Sequence, residues 1–397
     1  MRMGIGAKLN ELENPSLFID RTWESSLFTG AVDRISTRMK ANRQRFKGSF
    51  PGDEATNGIY AKFKGAQKNA WGAGYWIGIH WLLYQMTSDE IFKETAYQYV
   101  ETYTQTLTHE HYELTHCVGC EADPALVWGY KFTGDSYFKN LITHAADIML
   151  DRFVPTPGIM HMAGAMDDAT QNKRVIVDSL TVIPILKVAT DISGNPAYAE
   201  AAVQNGETVL RYNVCNDGAI IQLAQFDPIL GRYAGHLPHQ GLNLQSTWSR
   251  GSGWAAWGLP DLYRLTGSQE VLYGIEQVVR YYVNALPNDL VPYWDLFYRE
   301  GSQEPRDSSA AALVSAGIQK FLKLAPDHKS TQLYSRINDA ILASLIQTCW
   351  EEKDNIEGLL AHVCANRPRN RTLDDYALWG DYYFVEALYY KLGGELY

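Results

Sequence analysis

The chain of 397 residues carries 35 Lys plus Arg against 45 Asp plus Glu, a formal net charge of −10. That balance argues against nucleic acid or an anionic membrane surface as partner, although local arginines can still hold a small anionic substrate. Five cysteines, an odd number in so long a chain, argue against a disulfide framework, and no apolar run reaches membrane-spanning length.

The first stretch of the chain lacks an apolar core suited to a signal peptide, so a soluble, cytoplasmic protein is expected. No Gly/Ser- or Pro-rich linker interrupts the rest, and the chain reads as one domain over 1–397 with an N-terminal extension of roughly 1–28. Helix-forming stretches meet in short polar hinges: Thr87-Ser88-Asp89, Thr133-Gly134-Asp135, Ser193-Gly194-Asn195, Thr266-Gly267-Ser268 and, more loosely, Ala325-Pro326-Asp327. In each, a small residue turns the chain and Asp, Asn or Ser caps the next helix.

The first helix of a pair is nearly apolar, as in Trp76 to Met86, Val175 to Val188, Trp254 to Leu265 and Ala310 to Leu324. The second carries charge on one face, as in Glu90 to Leu107. Inner and outer helices therefore alternate. Such pairs either stack as a solenoid or close as a ring. The connections from outer to next inner helix are long and rich in aromatic, His, Gly and acidic residues, and the hinges are short. This asymmetry predicts an all-α fold, an (α/α)6 barrel of six helical hairpins, with function gathered at one mouth.

Eleven Trp and 25 Tyr suit both a large core and the flat walls on which sugars stack. Trp71-Gly72-Ala73-Gly74-Tyr75-Trp76 is a candidate wall. His109-Glu110-His111 through His116-Cys117-Val118-Gly119-Cys120-Glu121 has the residue types of a zinc site. A second Cys pair is missing, however, since Cys215, Cys349 and Cys364 stand alone, and neither metal nor cofactor is expected. Asp178 interrupts the apolar run of Arg174-Val175-Ile176-Val177-Asp178-Ser179-Leu180 at the start of an inner helix. There, burial would raise its pKa and suit it to general acid work, while a helix cap explains it equally.

Pro238-His239-Gln240-Gly241 and Ser246-Thr247-Trp248-Ser249-Arg250-Gly251-Ser252-Gly253-Trp254 bring together a cation, an amide, an imidazole and two indoles. These could bind a sugar carboxylate, or Arg250 could pair with a structural acid. Tyr293-Trp294-Asp295-Leu296 with Pro305-Arg306-Asp307-Ser308-Ser309, and Trp379-Gly380-Asp381-Tyr382-Tyr383, read either as binding segments or as capping and packing.

From about Asn57 onward these segments resemble the unsaturated glucuronyl hydrolases, glycoside hydrolase family 88, with unsaturated rhamnogalacturonyl hydrolases as more distant relatives. The most specific strings are Val291-Pro292-Tyr293-Trp294-Asp295-Leu296 through Pro305-Arg306-Asp307-Ser308-Ser309-Ala310, the His-Gln-Gly and Trp-x-Arg-Gly segments at 239–251, and Trp379-Gly380-Asp381-Tyr382-Tyr383. The resemblance implies an (α/α)6 barrel acting on oligosaccharides left by polysaccharide lyases, whose non-reducing uronate has a C4=C5 double bond. It implies hydration of that vinyl ether with Asp178 as general acid and base. The implied substrate-binding residues are Trp71, Trp76, His116, Gln222, His239, Gln240, Trp248, Arg250, Trp254, Trp294, Arg306, Trp379 and Tyr382, in a monomer or homodimer.

Four positions depart from the family pattern. Cys117 stands where a second aspartate is usual, Gln222 where a histidine precedes Phe-Asp-Pro, Ala163 at a stacking tryptophan, and Ser252 at a glutamine. The chain therefore hydrates an altered unsaturated uronide, with Cys117, Asp123 or Glu121 tuning Asp178, or performs another sugar reaction, or only binds oligosaccharides. Retention of Asp178, Arg250, Trp248, Gln240 and the Arg306 segment favours the first. Without the resemblance, a sugar epimerase using His239 and His116, or a lyase using Tyr and Arg, would fit the same barrel less well.

Overall fold

The computed structural model describes residues 8–64, 72–107, 116–353 and 355–397. Trp71 and the His109-Glu110-His111 segment lie outside the described residues.

Four of the hinges share one local solution. Thr87, Thr133, Ser193 and Thr266 each donate a hydroxyl to the carbonyl four residues back, at 2.6, 2.6, 2.7 and 2.8 Å. Each hydroxyl also accepts the backbone N–H two residues on. The residue between is left-handed: Ser88, Gly134, Gly194 and Gly267 have φ of 57°, 65°, 72° and 61°. Glycine takes that conformation without a Cβ penalty. Asp89, Asp135 and Asn195 then accept the N–H of Ile91, Tyr137 and Ala197, closing the orphan donors of the next helix.

These hinges link inner helices to outer ones. Gly72–Thr87 leads to Glu90–Leu107, Ser249–Thr266 to Gln269–Asn284, and Ser308–Leu324, by the looser turn, to Thr331–Thr348. The second inner helix is composite, Cys117–Ala122, a π turn Asp123–Val127 and Trp128–Thr133, and is succeeded by Tyr137–Asp151. The third begins as a 3-10 turn, Val177–Val182, continues as Ile183–Ser193 and leads to Pro196–Tyr212. The sixth pair has no hinge. The final inner helix, Leu378–Lys391, packs against both Gly72–Thr87 and the first outer helix, Ser25–Arg45, so the two ends of the chain close the ring. That outer helix begins inside the stretch expected to be an N-terminal extension.

The inner helix expected from Val175 starts later than its apolar run suggests. Lys173–Ile176 is a strand paired antiparallel with Leu223–Phe226, which pairs in turn with Tyr233–Leu237. The β-branched run satisfies its backbone in this small sheet, and Pro184, lacking an N–H, sits in the first turn of Ile183–Ser193, where none is needed. Two short hairpins complete the β structure among the described residues, one of them turning at Asn57-Gly58.

The ring is tight where glycines let backbones meet. A Cβ on Gly317 would come within 2.3 Å of the Ala256 carbonyl oxygen, and one on Gly74 within 2.1 Å of the Glu121 carbonyl oxygen. Toward the hinge end the barrel interior holds Asp123, Asp261, Lys320 and Glu386, each at most 3% exposed. Lys320 pairs with Asp261 and lies 3.4 Å from the centre of the Trp257 ring. Glu386 accepts from Trp257 Nε1 at 2.6 Å and from Tyr382 at 3.0 Å, and burial pushes its carboxyl up to about 7.

Asp381, at the start of the final helix, is a structural tie. Its Oδ1 accepts the N–H groups of Leu359 and Leu360, both at 2.9 Å, and its Oδ2 accepts the Tyr60 hydroxyl at 2.8 Å. Burial raises its carboxyl to about 7.

Gly317→Ala should lower stability by about 1–3 kcal/mol, since a backbone carbonyl cannot step aside, whereas Gly30→Ala, with nothing within 4 Å, should raise it by about 0.5–1 kcal/mol. Urea unfolding of both variants tests this pair. For Asp381, the folded carboxyl binds protons more tightly than the unfolded one, so its contribution to stability declines as pH rises from about 4 to about 7. Asp381→Asn keeps the acceptor for Leu359 and Leu360 and does not ionise. Melting temperatures should therefore shift in favour of the variant between pH 5 and pH 8; a pH-independent gap would contradict the assignment.

Candidate active site

The six inner helices all begin at the same mouth, and the small sheet delivers Asp178 there. Strand Lys173–Ile176 ends one residue before the 3-10 turn, and Val177 N–H donates to the Gln222 carbonyl at 3.0 Å. The pairing sets Asp178 on the first turn and Gln222 beside it. The Asp178 side chain is 14% exposed, and its Oδ1 lies 3.3 Å from His116 Nε2. That Oδ1 is buried and, among the described residues, accepts no hydrogen bond and has His116 as its ion-pair partner. The apolar pocket expected from sequence is absent on this side: the carboxyl faces an imidazole, with a thiol beyond it.

His116 is 3% exposed, and its Nδ1 donates to the Met162 carbonyl at 3.2 Å, which leaves Nε2 facing Asp178 and, at 3.7 Å, Cys117 Sγ. Burial alone would push this imidazole down, but the negative charges of Cys117 and Asp178 outweigh it and hold it well above 6.5. The Cys117 thiol is held well below its ordinary range, first by a hydrogen bond from Cys120 and, against burial, by His116. Cys120 is pushed up by that same bond and by burial. Its Sγ also touches Thr181 Oγ1 at 2.7 Å, and Thr181 donates to the Asp178 carbonyl at 2.6 Å. Neither Cys120 nor Thr181 is among the binding or catalytic residues expected from sequence. The i, i+3 spacings from Cys117 and from Asp178 were the available signal, since such pairs share one helix face.

Beside Asp178 stands a pair of amides. Gln222 Nε2 donates to Gln240 Oε1 at 2.8 Å, Gln240 N–H donates to Gln222 Oε1 at 2.5 Å, and Gln240 Nε2 reaches the Ala365 carbonyl at 3.2 Å. His239 is exposed beside them, lowered by burial of its ring but within the field of Asp178, Arg369 and Arg174.

Arg250 is not placed as an open anion site. At 3% exposure, its Nη1 donates to Asp307 Oδ2 at 2.5 Å and to the Cys364 carbonyl at 2.9 Å, and its Nη2 to the Ala365 carbonyl at 2.6 Å. Trp248 and Trp379 flank the guanidinium, with ring centres 4.6 and 5.4 Å away. The alternative that Arg250 pairs with a structural acid is the one realised.

Several other expected contacts are also occupied by the fold. Trp76 is 1% exposed and packs edge-on against Phe46, His80 and Tyr99, away from the mouth. Tyr382 is fully buried, accepting from Trp128 Nε1 at 2.8 Å and donating to Glu386. Trp294 donates to Glu304 at 2.9 Å. Arg306 pairs with Asp289 at 2.7 Å and lies over the Tyr293 ring. Trp254, 6% exposed, stands edge-on to Tyr383 on the inner wall. Asp123 belongs to the hinge-end cluster with Lys320, Glu386 and Asp261, and so does not tune Asp178 as expected. His116, Cys117, Asp178, Gln222, Gln240 and His239 remain as the set gathered at the mouth.

The family model of Glycosyl Hydrolase Family 88 matches residues 43–387. The protein is 28% identical over 396 residues to the unsaturated chondroitin disaccharide hydrolase of Streptococcus agalactiae, covering 98% of each chain. It is 30% identical over 323 residues to the unsaturated glucuronyl hydrolase of Formosa agariphila, covering 80% of this chain and 79% of that one. The crystal structure of unsaturated glucuronyl hydrolase from Streptococcus agalactiae matches with a TM-score of 0.92 at 27% identity over 96% of both chains. An aspartate-to-asparagine mutant of that enzyme, crystallised with dGlcA-GalNAc6S, matches with a TM-score of 0.86 at 25% identity over 98% of both chains. On its sequence and its barrel alike, the chain belongs to Glycosyl Hydrolase Family 88.

Proposed function

We propose that the protein releases a 4,5-unsaturated uronic acid from the non-reducing end of lyase-generated oligosaccharides. The observation that carries this reading is the placement of Asp178 at the barrel mouth, its Oδ1 beside His116 and, among the described residues, without a hydrogen-bond partner, in a chain of this family. The substrate is a vinyl ether conjugated to a carboxylate. Asp178 gives its proton to C4, leaving an oxocarbenium-like centre at C5. Water adds to C5 and returns a proton to Asp178. The resulting hemiketal opens and the remaining saccharide leaves. One carboxyl that donates and then accepts a proton serves both steps.

Gln222 and Gln240 form a polar wall on which sugar hydroxyls can exchange hydrogen bonds. Arg174 and Arg369, whose charges reach His239, supply the positive field for the substrate carboxylate that buried Arg250 does not. Cys117 in the place of a second aspartate fits an unsaturated uronide that differs from the ordinary unsaturated glucuronide. The protein acts as a single catalytic domain, as monomer or homodimer. It works in the cytoplasm, where cysteines outside disulfides, such as Cys117 and Cys120, are the natural state. Among the described residues no helix is long and apolar enough to cross a membrane.

Mixing the protein with a panel of lyase-generated unsaturated disaccharides should remove the ultraviolet absorbance of the conjugated double bond for at least one member. Asp178→Asn should cut that rate by about 100-fold or more while calorimetry still detects binding. Cys117→Asp should raise the rate on unsulfated unsaturated glucuronides. No loss of absorbance across the panel, with binding retained, would replace the hydrolase reading with one of binding alone. For Arg250, truncation to Ala strands the Asp307 carboxylate, fully buried, without its partner. It should cost about 3–5 kcal/mol of stability, read as a fall in melting temperature, rather than act only on KM.

A further inference from the structure

We propose that His116, Cys117 and Cys120 form a binding site for a soft divalent cation, of the zinc type, at the floor of the sugar cleft. Their donor atoms all lie within 4.8 Å of one another and all three side chains are buried. Sequence counting argued against a metal because a second Cys pair is missing. The fold replaces that pair with the histidine that precedes the first cysteine.

The spacing matches an edge of a metal tetrahedron. Zinc bonds of about 2.3 Å to sulfur and about 2.0 Å to nitrogen place a sulfur and a nitrogen about 3.6 Å apart. The structure has Cys117 Sγ 3.7 Å from His116 Nε2. The two cysteines are three residues apart in Cys117–Ala122, so their sulfurs leave the helix on one face. Nδ1 of His116 donates to the Met162 carbonyl, which holds the ring with Nε2 toward the sulfurs, as supporting bonds do for metal-ligating imidazoles.

Three protein ligands leave a fourth position open on the side of Asp178, the arrangement of an accessible metal centre rather than of a closed structural one. The thiols are the reason this chain has the site.

The test is titration of cobalt(II) into the whole protein, kept reduced with a non-chelating phosphine. Thiolate-to-cobalt charge transfer in the near ultraviolet and tetrahedral d–d absorption in the red should saturate at one cobalt per chain. Cys120→Ser and, separately, Cys117→Ser should weaken binding by about 100-fold or more, beyond what losing a supporting hydrogen bond costs a metal site. Cys215→Ser should change nothing, since that thiol lies apart from the cluster. Absence of the charge-transfer band, its persistence in both cluster variants, or its loss in Cys215→Ser would overturn the site. The spectra need no substrate, so failure of the hydration assay leaves the metal result standing.

Discussion

The mouth of this barrel depends on one buried ion pair. Arg250 and Asp307 stand at the starts of neighbouring inner helices, and their contact, with the Cys364 and Ala365 carbonyls on the same guanidinium, joins those two helices to the loop that returns toward the final one. A charge so deeply buried is tolerable because Nη1 and Nη2 both find acceptors, one of them a carboxylate, and two indoles flank the guanidinium. This explains why the Trp-x-Arg-Gly and Arg-Asp-Ser-Ser strings are so specific. They are the two halves of one lock, and the groups gathered at the mouth are arranged around it.

Asp381 and the hinge-end cluster extend the same logic. Asp381 gathers three donors, two from a loop and one from a strand, onto the final helix, and Lys320 sits among Asp261, Glu386 and Asp123 in the barrel interior. Acids raised by burial are common markers of function. In this molecule two of the clearest, Asp381 and Glu386, hold the ring together, and the acid at the mouth is distinguished by geometry. What marks Asp178, among the described residues, is an oxygen with no hydrogen-bond partner that faces His116 at the open end of the barrel.

Cys117, where the resemblance implies an aspartate, brings a different chemistry to the mouth. A thiol one helical turn from a second thiol, and next to an imidazole held by Met162, makes a compact set of soft donors beside Asp178. On the readings proposed above, it bears both on substrate preference and on the ions the cleft can accept.

From the sequence by itself came the alternation of apolar and amphipathic helices, and the Thr/Ser, Gly and Asx hinges that turn each pair. These are local effects: a hydroxyl reaching back one turn, a left-handed residue and a cap act within five residues. Asp178 was legible for a related reason, as a lone charge in an apolar run. What only the tertiary structure decided was which side chains remain available. Arg250, Trp76 and Tyr382 look like ligand contacts in one dimension, and their partners Asp307, Phe46 and Trp128 are distant in sequence. The strand that aims Asp178, the joining of His116 to it, and the closure of the ring by the two chain ends all depend on long-range pairing. Residue types do not encode it locally.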